Sequence, residues 1–599
     1  MAGIEKLKSR DEIEEIFKWD LTAIFASDEA WEKACVTLDD SVKNLKKIEG
    51  KVSQKIDIML DFLKFRDEQE NIIEKVIVYS NQKMHEDMGV AKYQGYASKA
   101  QQKLAALAEA EAFFEPEVLA MNDEVLKKFV DSEELKPYKI LLERILRKKE
   151  HTLSAKEEAI IAKTMEISSA ADDIFSLFNN ADAKFGFIID ENGNEVELTH
   201  GRFIKYMESK DRKVRKDAFE AMYATYKQYQ NTLGATFLAN VKKAKFYADV
   251  KKYDSSLSAA LDESHIPGKV YDNLIETVHR FLPSMYRYVA LRKKALGVDE
   301  LHMYDVYTPL IKDYHMEVPF EEAKKIVEKG LAPMGEEYIS HLKEGFLNRW
   351  IDVYENKGKR SGAYSWGAYG SHPYVLLNYS EKLDDVFTLA HEMGHALHTY
   401  YASENQTYTY AGYKIFVAEV ASTCNESLLM HDMLKNAKNK KEKAYLLNHF
   451  IDQFKGTIFR QTMFAEFEKL AHEKYANGES VTAESLCELY LNLNQLYFGE
   501  DMISDPEIAY EWERIPHFYT EFYVYQYATG FSAAIALSKR ILEEGISAVE
   551  DYKKFLKGGS SKDPIELLKI AGVDISSPQP VESALTMFDG LVKELEELI

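Results

Sequence analysis

Two histidines one helical turn apart, His391 and His395, place the strongest condition on how this chain can fold. Around them Val386, Phe387, Ala390, Met393, Gly394 and Leu397 recur with the i, i+3, i+4, i+7 spacing of one buried helical face. The spacing predicts a helix from about Leu383, with both imidazoles on the same side. Glu392 stands between them, so the segment reads His-Glu-Met-Gly-His. Two imidazoles so placed can hold one divalent metal, and the adjacent Glu can reach a water on it. This is the minimal equipment for metal-assisted hydrolysis, with zinc as the expected metal.

A third ligand is sought downstream, where the sequence reads Phe416-Val-Ala-Glu419-Val-Ala-Ser. Glu419 follows His395 by 24 residues (419 − 395), enough for the first helix to end and a second to return beside it. Its apolar neighbours Val417, Ala418, Val420 and Ala421 imply a buried segment, and a carboxylate there needs a partner. Zinc is one such partner; a basic side chain is the other. Two His and one Glu would leave a fourth position for water. Glu426, on the same helical face, either hydrogen-bonds a ligand histidine and fixes its tautomer or is a solvated helix Glu. His398 competes with Glu419, but three ligands on one straight helix would span about 10 Å at 1.5 Å rise per residue. His398 is therefore read as a packing or hydrogen-bonding residue.

Helix breakers are scarce: 28 Gly and 13 Pro in 599 residues. Glu, Lys, Leu and Ala dominate, the make-up of a large, mainly α protein. Residues 1–200 read as a succession of helices, with a coiled-coil-like hairpin expected within Val90–Leu119. Phe185 to Thr199, with the turn signal Asn192-Gly-Asn, reads as a β-hairpin closing that region. Helices resume from Thr199, with a break at Asp262 to Gly268. Residues 201–599 form the second region. Within it, Ile351 to Tyr379 is the best candidate for a small β-sheet, directly upstream of the His-Glu helix. Asp563-Pro564 reads as a helix start. Gly558-Gly-Ser-Ser reads as a connector, since no strand precedes it and no Gly-Lys-Ser/Thr follows.

A net charge of −23, with no basic stripe, argues against nucleic acid as a partner. No apolar run reaches membrane-spanning length, so no membrane is expected. Cys35, Cys424 and Cys487 match no disulfide or zinc framework and read as buried free thiols in a reducing compartment. The N-terminus shows no apolar signal region, and a cytoplasmic location is expected.

The segments Phe387-Thr-Leu-Ala-His-Glu-Met-Gly-His-Ala-Leu-His and Phe416-Val-Ala-Glu-Val-Ala-Ser resemble the oligoendopeptidase F branch of the thimet oligopeptidase family. So do Leu301-His-Met-Tyr-Asp, Asn356-Lys-Gly-Lys-Arg-Ser-Gly-Ala-Tyr-Ser, His517-Phe-Tyr, Phe522-Tyr-Val-Tyr-Gln-Tyr-Ala-Thr-Gly, Gly558-Gly-Ser-Ser and Ala571-Gly-Val-Asp. These motifs run from about residue 300 to the end. The resemblance implies one zinc per chain on His391, His395 and Glu419, with Glu392 as general base. It implies hydrogen-bond donors to the oxyanion from His517, Tyr523 and Tyr527. Tyr523 and Tyr527 are expected one helical turn apart. Thimet-type relatives carry a further Tyr where this chain has Gly530; Tyr519 and Tyr525 are read as packing residues.

The implied fold is a two-lobed helical clam-shell with a deep central channel. The implied activity is endopeptidase cleavage of oligopeptides, bound along a sheet edge offered by Gly362 to Ser365 and Pro373 to Tyr379. A peptide- or zinc-binding protein without turnover, and a carboxypeptidase or dipeptidase, are the competing readings. Intact Glu392, His517 and Tyr523 argue against the binder.

Overall fold

With few Gly or Pro to interrupt it, most of the chain can propagate helix, and helix dominates the computed structural model, which describes residues 6–311, 314 and 316–599. The first five residues, on which the reading of the N-terminus partly falls, lie outside the described residues. The chain forms two compact units. One comprises Met1–Thr152, His315–Asp432 and Leu537–Gly572; the other comprises Leu153–Tyr314, Met433–Ala536 and Val573–Ile599.

In the first unit, helix Asp28–Lys46 starts at Ser27, whose hydroxyl accepts from the Ala30 N–H. It packs on helices Ile56–Glu86 and Ala91–Glu111. These last two are joined by only four residues, so they form the helical hairpin. The hairpin expected inside Val90–Leu119 is thus misplaced: that stretch supplies one arm and then a short helix, Phe114–Leu119. Trp31, Leu38, Phe62, Leu63, Val76 and Leu107 form the heart of the core. Tyr374 and Leu376 join the same core, so the small sheet is seated on the N-terminal helices.

That sheet lies where the sequence placed it. Tyr374–Leu376 is central, parallel to Ile351–Asp352 and antiparallel to Tyr364–Trp366. Of the two segments expected to offer a strand edge, only Tyr364–Trp366 does so; the Pro373–Tyr379 segment holds the middle strand and is paired on both sides. Helix Leu383–Asn405, which carries the two histidines, packs against both Tyr364–Trp366 and Tyr374–Leu376. Helices Phe320–Gly330, Gly335–Leu347 and Ile546–Leu556 also pack on it. The Gly558-Gly-Ser-Ser segment is a connector, tied down where the Ser560 N–H donates to the Tyr410 carbonyl at 2.8 Å.

The second unit is organised on the 39-residue helix Arg212–Val250. The expected hairpin is present as Phe187–Ile189 paired with Glu195–Glu197, turning at Gly193 with φ of 79°. Helix Gly268–Leu296 follows the break after Asp262 and packs on Gln579–Glu596. The three cysteines are buried and free. Among the described residues, no helix is long and apolar enough to cross a membrane.

Candidate active site

The His-Glu helix is buried along the face its spacing predicts: Val386, Ala390, Met393 and Leu397 are fully covered. His391 and His395 stand on its other side, half-buried. Helix Ile415–Lys435 runs beside it and carries Glu419. The two backbones meet at Gly394. A Cβ there would lie 2.6 Å from Ser422 Cα and 2.9 Å from the Ala421 carbonyl oxygen. Only glycine permits this approach, and the approach sets Glu419 against the histidines. Asn425 reinforces it by donating to the Ala390 carbonyl at 3.1 Å, while its own carbonyl accepts from the Tyr338 hydroxyl at 2.9 Å.

Three donor atoms converge. His391 Nε2 and His395 Nε2 are 3.2 Å apart. Glu419 Oε2 is 3.3 Å from the first and 3.4 Å from the second. A tetrahedral ion with bonds of about 2.1 Å has ligand-to-ligand edges of about 3.4 Å, so the triangle matches one face of such a site. The chemistry agrees. His391 Nδ1 donates to Glu426 Oε1 at 2.5 Å, so that the neutral imidazole would carry its lone pair on Nε2, facing the triangle. Burial opposes charge on His391, yet Glu419 and Glu426 outweigh it and push its pKa up to about 10. Burial likewise opposes charge on Glu419, but His391 and His395 hold it well below the usual carboxylate range. The donor set and its spacing fit a metal ion.

Glu419 is less buried than its neighbours suggested, with 36% of its side chain exposed. Its oxygen also accepts from the Ser422 hydroxyl at 3.1 Å. Glu392 is buried, and its Oε2 has no hydrogen-bond partner among the described residues. Burial raises its pKa, against the pull of His391 and His395. His398 takes no part: it stacks on Tyr413 with centroids 3.8 Å apart, and burial pushes its pKa down to about 3.

The aromatic residues form a second group, within the other unit. His517 Nε2 and the Tyr527 hydroxyl are 3.1 Å apart. The Tyr523 ring stacks on His517 at 5.8 Å and meets Tyr527 at 5.5 Å. Burial, then Arg460, lowers the His517 pKa. Tyr523 is not one turn before Tyr527 on a shared helix, as expected; the helix is Tyr525–Glu544, and Tyr523 lies in the turn that leads into it. Tyr519 stacks on Phe175 at 4.4 Å and Tyr525 packs on Tyr271 at 5.1 Å, both as core residues.

The Peptidase family M3 model matches residues 205–587, and the Oligopeptidase F model matches residues 117–185. The chain is 49% identical over 595 residues to oligopeptidase PepF of Bacillus subtilis, covering 99% of this chain and 89% of that one. The chain belongs to peptidase family M3. The crystal structure of oligoendopeptidase-F from Enterococcus faecium, 38% identical, matches this M3 peptidase with a TM-score of 0.74 over 95% of this chain and 99% of that one. A crystal structure from Chlamydophila abortus, 35% identical, gives 0.93 over 99% and 100%.

Family membership makes this chain a metallo-oligopeptidase, so peptide hydrolysis is the chemistry its site has to perform. Three residues that hold the His391–His395–Glu419 group in place give no ligand signal in the sequence. In the sequence Gly394 reads as part of the apolar face, although an interior glycine weakens a helix and calls for a packing reason. Ser422 and Asn425 carry no spacing signal; their roles follow from the helix pair meeting so closely.

Proposed function

We propose that this M3 peptidase is a zinc-dependent endopeptidase acting in the cytoplasm on internal bonds of short oligopeptides. The observation that carries the reading is the triangle of His391, His395 and Glu419 beside a buried, unpartnered Glu392 oxygen. One zinc ion per chain is assigned to those three ligands; two imidazoles and one carboxylate suit zinc among the divalent metals. Bound there, zinc would act as a Lewis acid that polarises a carbonyl and lowers the pKa of water.

Glu392 is assigned as general base. Its free oxygen can accept a proton from the attacking water and then pass it to the leaving amine. Glu426 keeps the His391 proton on Nδ1, and so keeps Nε2 available as a ligand. His517, Tyr523 and Tyr527 are assigned as donors to the oxyanion; their mutual clustering supports treating them as one group. The catalytic region is assigned to 201–599, which holds every one of these residues, and 1–200 to an N-terminal helical region. The free edge of Tyr364–Trp366, packed on the His-Glu helix, suits an extended peptide bound through its main chain. Main-chain recognition accepts many side chains, so broad specificity follows.

The test is cleavage of an end-blocked, internally quenched peptide of about ten residues by purified enzyme, chelated enzyme and chelated enzyme restored with zinc. Internal cleavage that is lost and then regained is expected. A peptide left intact while the same peptide with free ends is trimmed would replace the endopeptidase with an exopeptidase. No cleavage of either form, with metal bound, would favour a binding protein.

A further inference from the structure

Between His517 and Tyr523 the chain turns sharply, and the turn is made at Phe522. Its φ of 53° is a left-handed conformation that bulky L residues rarely adopt. The Phe522 N–H points inward and donates to Glu468 Oε1 at 2.6 Å. Glu468 lies on helix Arg460–Ala476 and is wholly buried; its other carboxyl oxygen has no hydrogen-bond partner among the described residues. One turn along the same helix, His472 meets the Phe522 ring with centroids 4.6 Å apart. On another side Tyr271 contacts that ring at 5.9 Å, and its hydroxyl donates to the Ala465 carbonyl at 2.6 Å. Helix Arg212–Val250 holds the flanks. Asn240 donates to the Phe518 carbonyl at 3.0 Å, and Lys243 pairs with Glu521 at 2.6 Å.

A carboxyl group removed from water is costly unless its hydrogen bonds repay the loss. Among the described residues Glu468 makes one hydrogen bond, and that bond goes to the amide of the residue with the strained backbone. A position that required only packing could hold Leu or Met without the cost. We propose that Glu468 is a positioning residue for peptide hydrolysis, holding Phe522 left-handed so that Tyr523 is presented beside His517 and Tyr527. The proposal rests on the assignment of Tyr523 as an oxyanion donor. Without the acceptor, the Phe522 amide is left buried and unpaired. The backbone then relaxes to an ordinary φ, and the Tyr523 side chain swings away from its partners.

Steady-state kinetics on the quenched peptide test this, with zinc content measured for every variant. Glu468→Leu is expected to lower kcat by about tenfold or more with KM within about twofold, because the interaction serves the transition state and not binding. Glu468→Gln, which keeps an acceptor oxygen, should recover most of the rate. In a Tyr523→Phe background, Glu468→Leu should cause little further loss, the non-additivity expected of residues acting through one group. Should Glu468→Leu fail to fold, Glu468→Asp withdraws the oxygen by one methylene and should give a smaller loss of kcat, again at constant KM. An unchanged kcat in both variants, or a full additional loss in the Tyr523→Phe background, overturns the proposal. If Tyr523→Phe alone retains the parental rate, the assignment of Tyr523 fails and the positioning role falls with it. If Tyr523→Phe is slow and Glu468→Leu is not, the positioning role alone fails.

Discussion

The His391–His395–Glu419 group and the aromatic group are built by opposite means. The first rests on two regular helices that meet closely between residues 390–395 and 419–426, with His391, His395 and Glu419 each fixed by helical phase. The second rests on an irregular turn. Of its members only Tyr527 lies on a long helix, and Tyr523 is presented by a residue whose backbone is strained. The helical group should therefore be most sensitive at the helix contact, where a Cβ on Gly394 would meet Ser422 and Ala421. The turn-borne group depends on single hydrogen bonds scattered over two other helices.

The sharpest way to break this contrast is at the helix contact. Gly394→Ala should force Ser422 away, cost about 1–3 kcal/mol of stability and displace Glu419. Metal content and activity should fall together, read by elemental analysis and peptide cleavage. Full metal retention would show that the contact does not set the ligand triangle. A smaller effect is expected in the aromatic group. Tyr527→Phe should lower kcat by about a hundredfold while metal content stays at one per chain. Smallest is His398→Phe, which keeps the stack on Tyr413; cleavage and metal content should stay within about twofold of the parent. A loss of metal there would restore His398 as a ligand.

The same contrast explains what could be read from the sequence. Helical period places His391, Glu392 and His395, and the apolar frame around Glu419 places the returning helix. The small sheet shows itself by its Gly- and Tyr-rich approach and compact apolar strand. Strand order does not: which segment takes the edge depends on pairing between residues some ten positions apart, and Tyr364–Trp366 took it. The helix start at Tyr525 is not legible, because Tyr523, Tyr525 and Tyr527 give no phase signal and the left-handed Phe522 breaks the run without a Gly or Pro to announce it. The long-range partners Ser422, Asn425 and Glu468 are legible only once helices are side by side.

The most direct measurement is paired metal analysis and end-blocked peptide cleavage on Glu392→Gln. That variant should bind one metal per chain as the parent does and lose about a thousandfold or more in kcat. Near-parental turnover with metal bound would contradict the assignment of Glu392 as general base, and with it the reading of this metal-binding group as the catalytic centre.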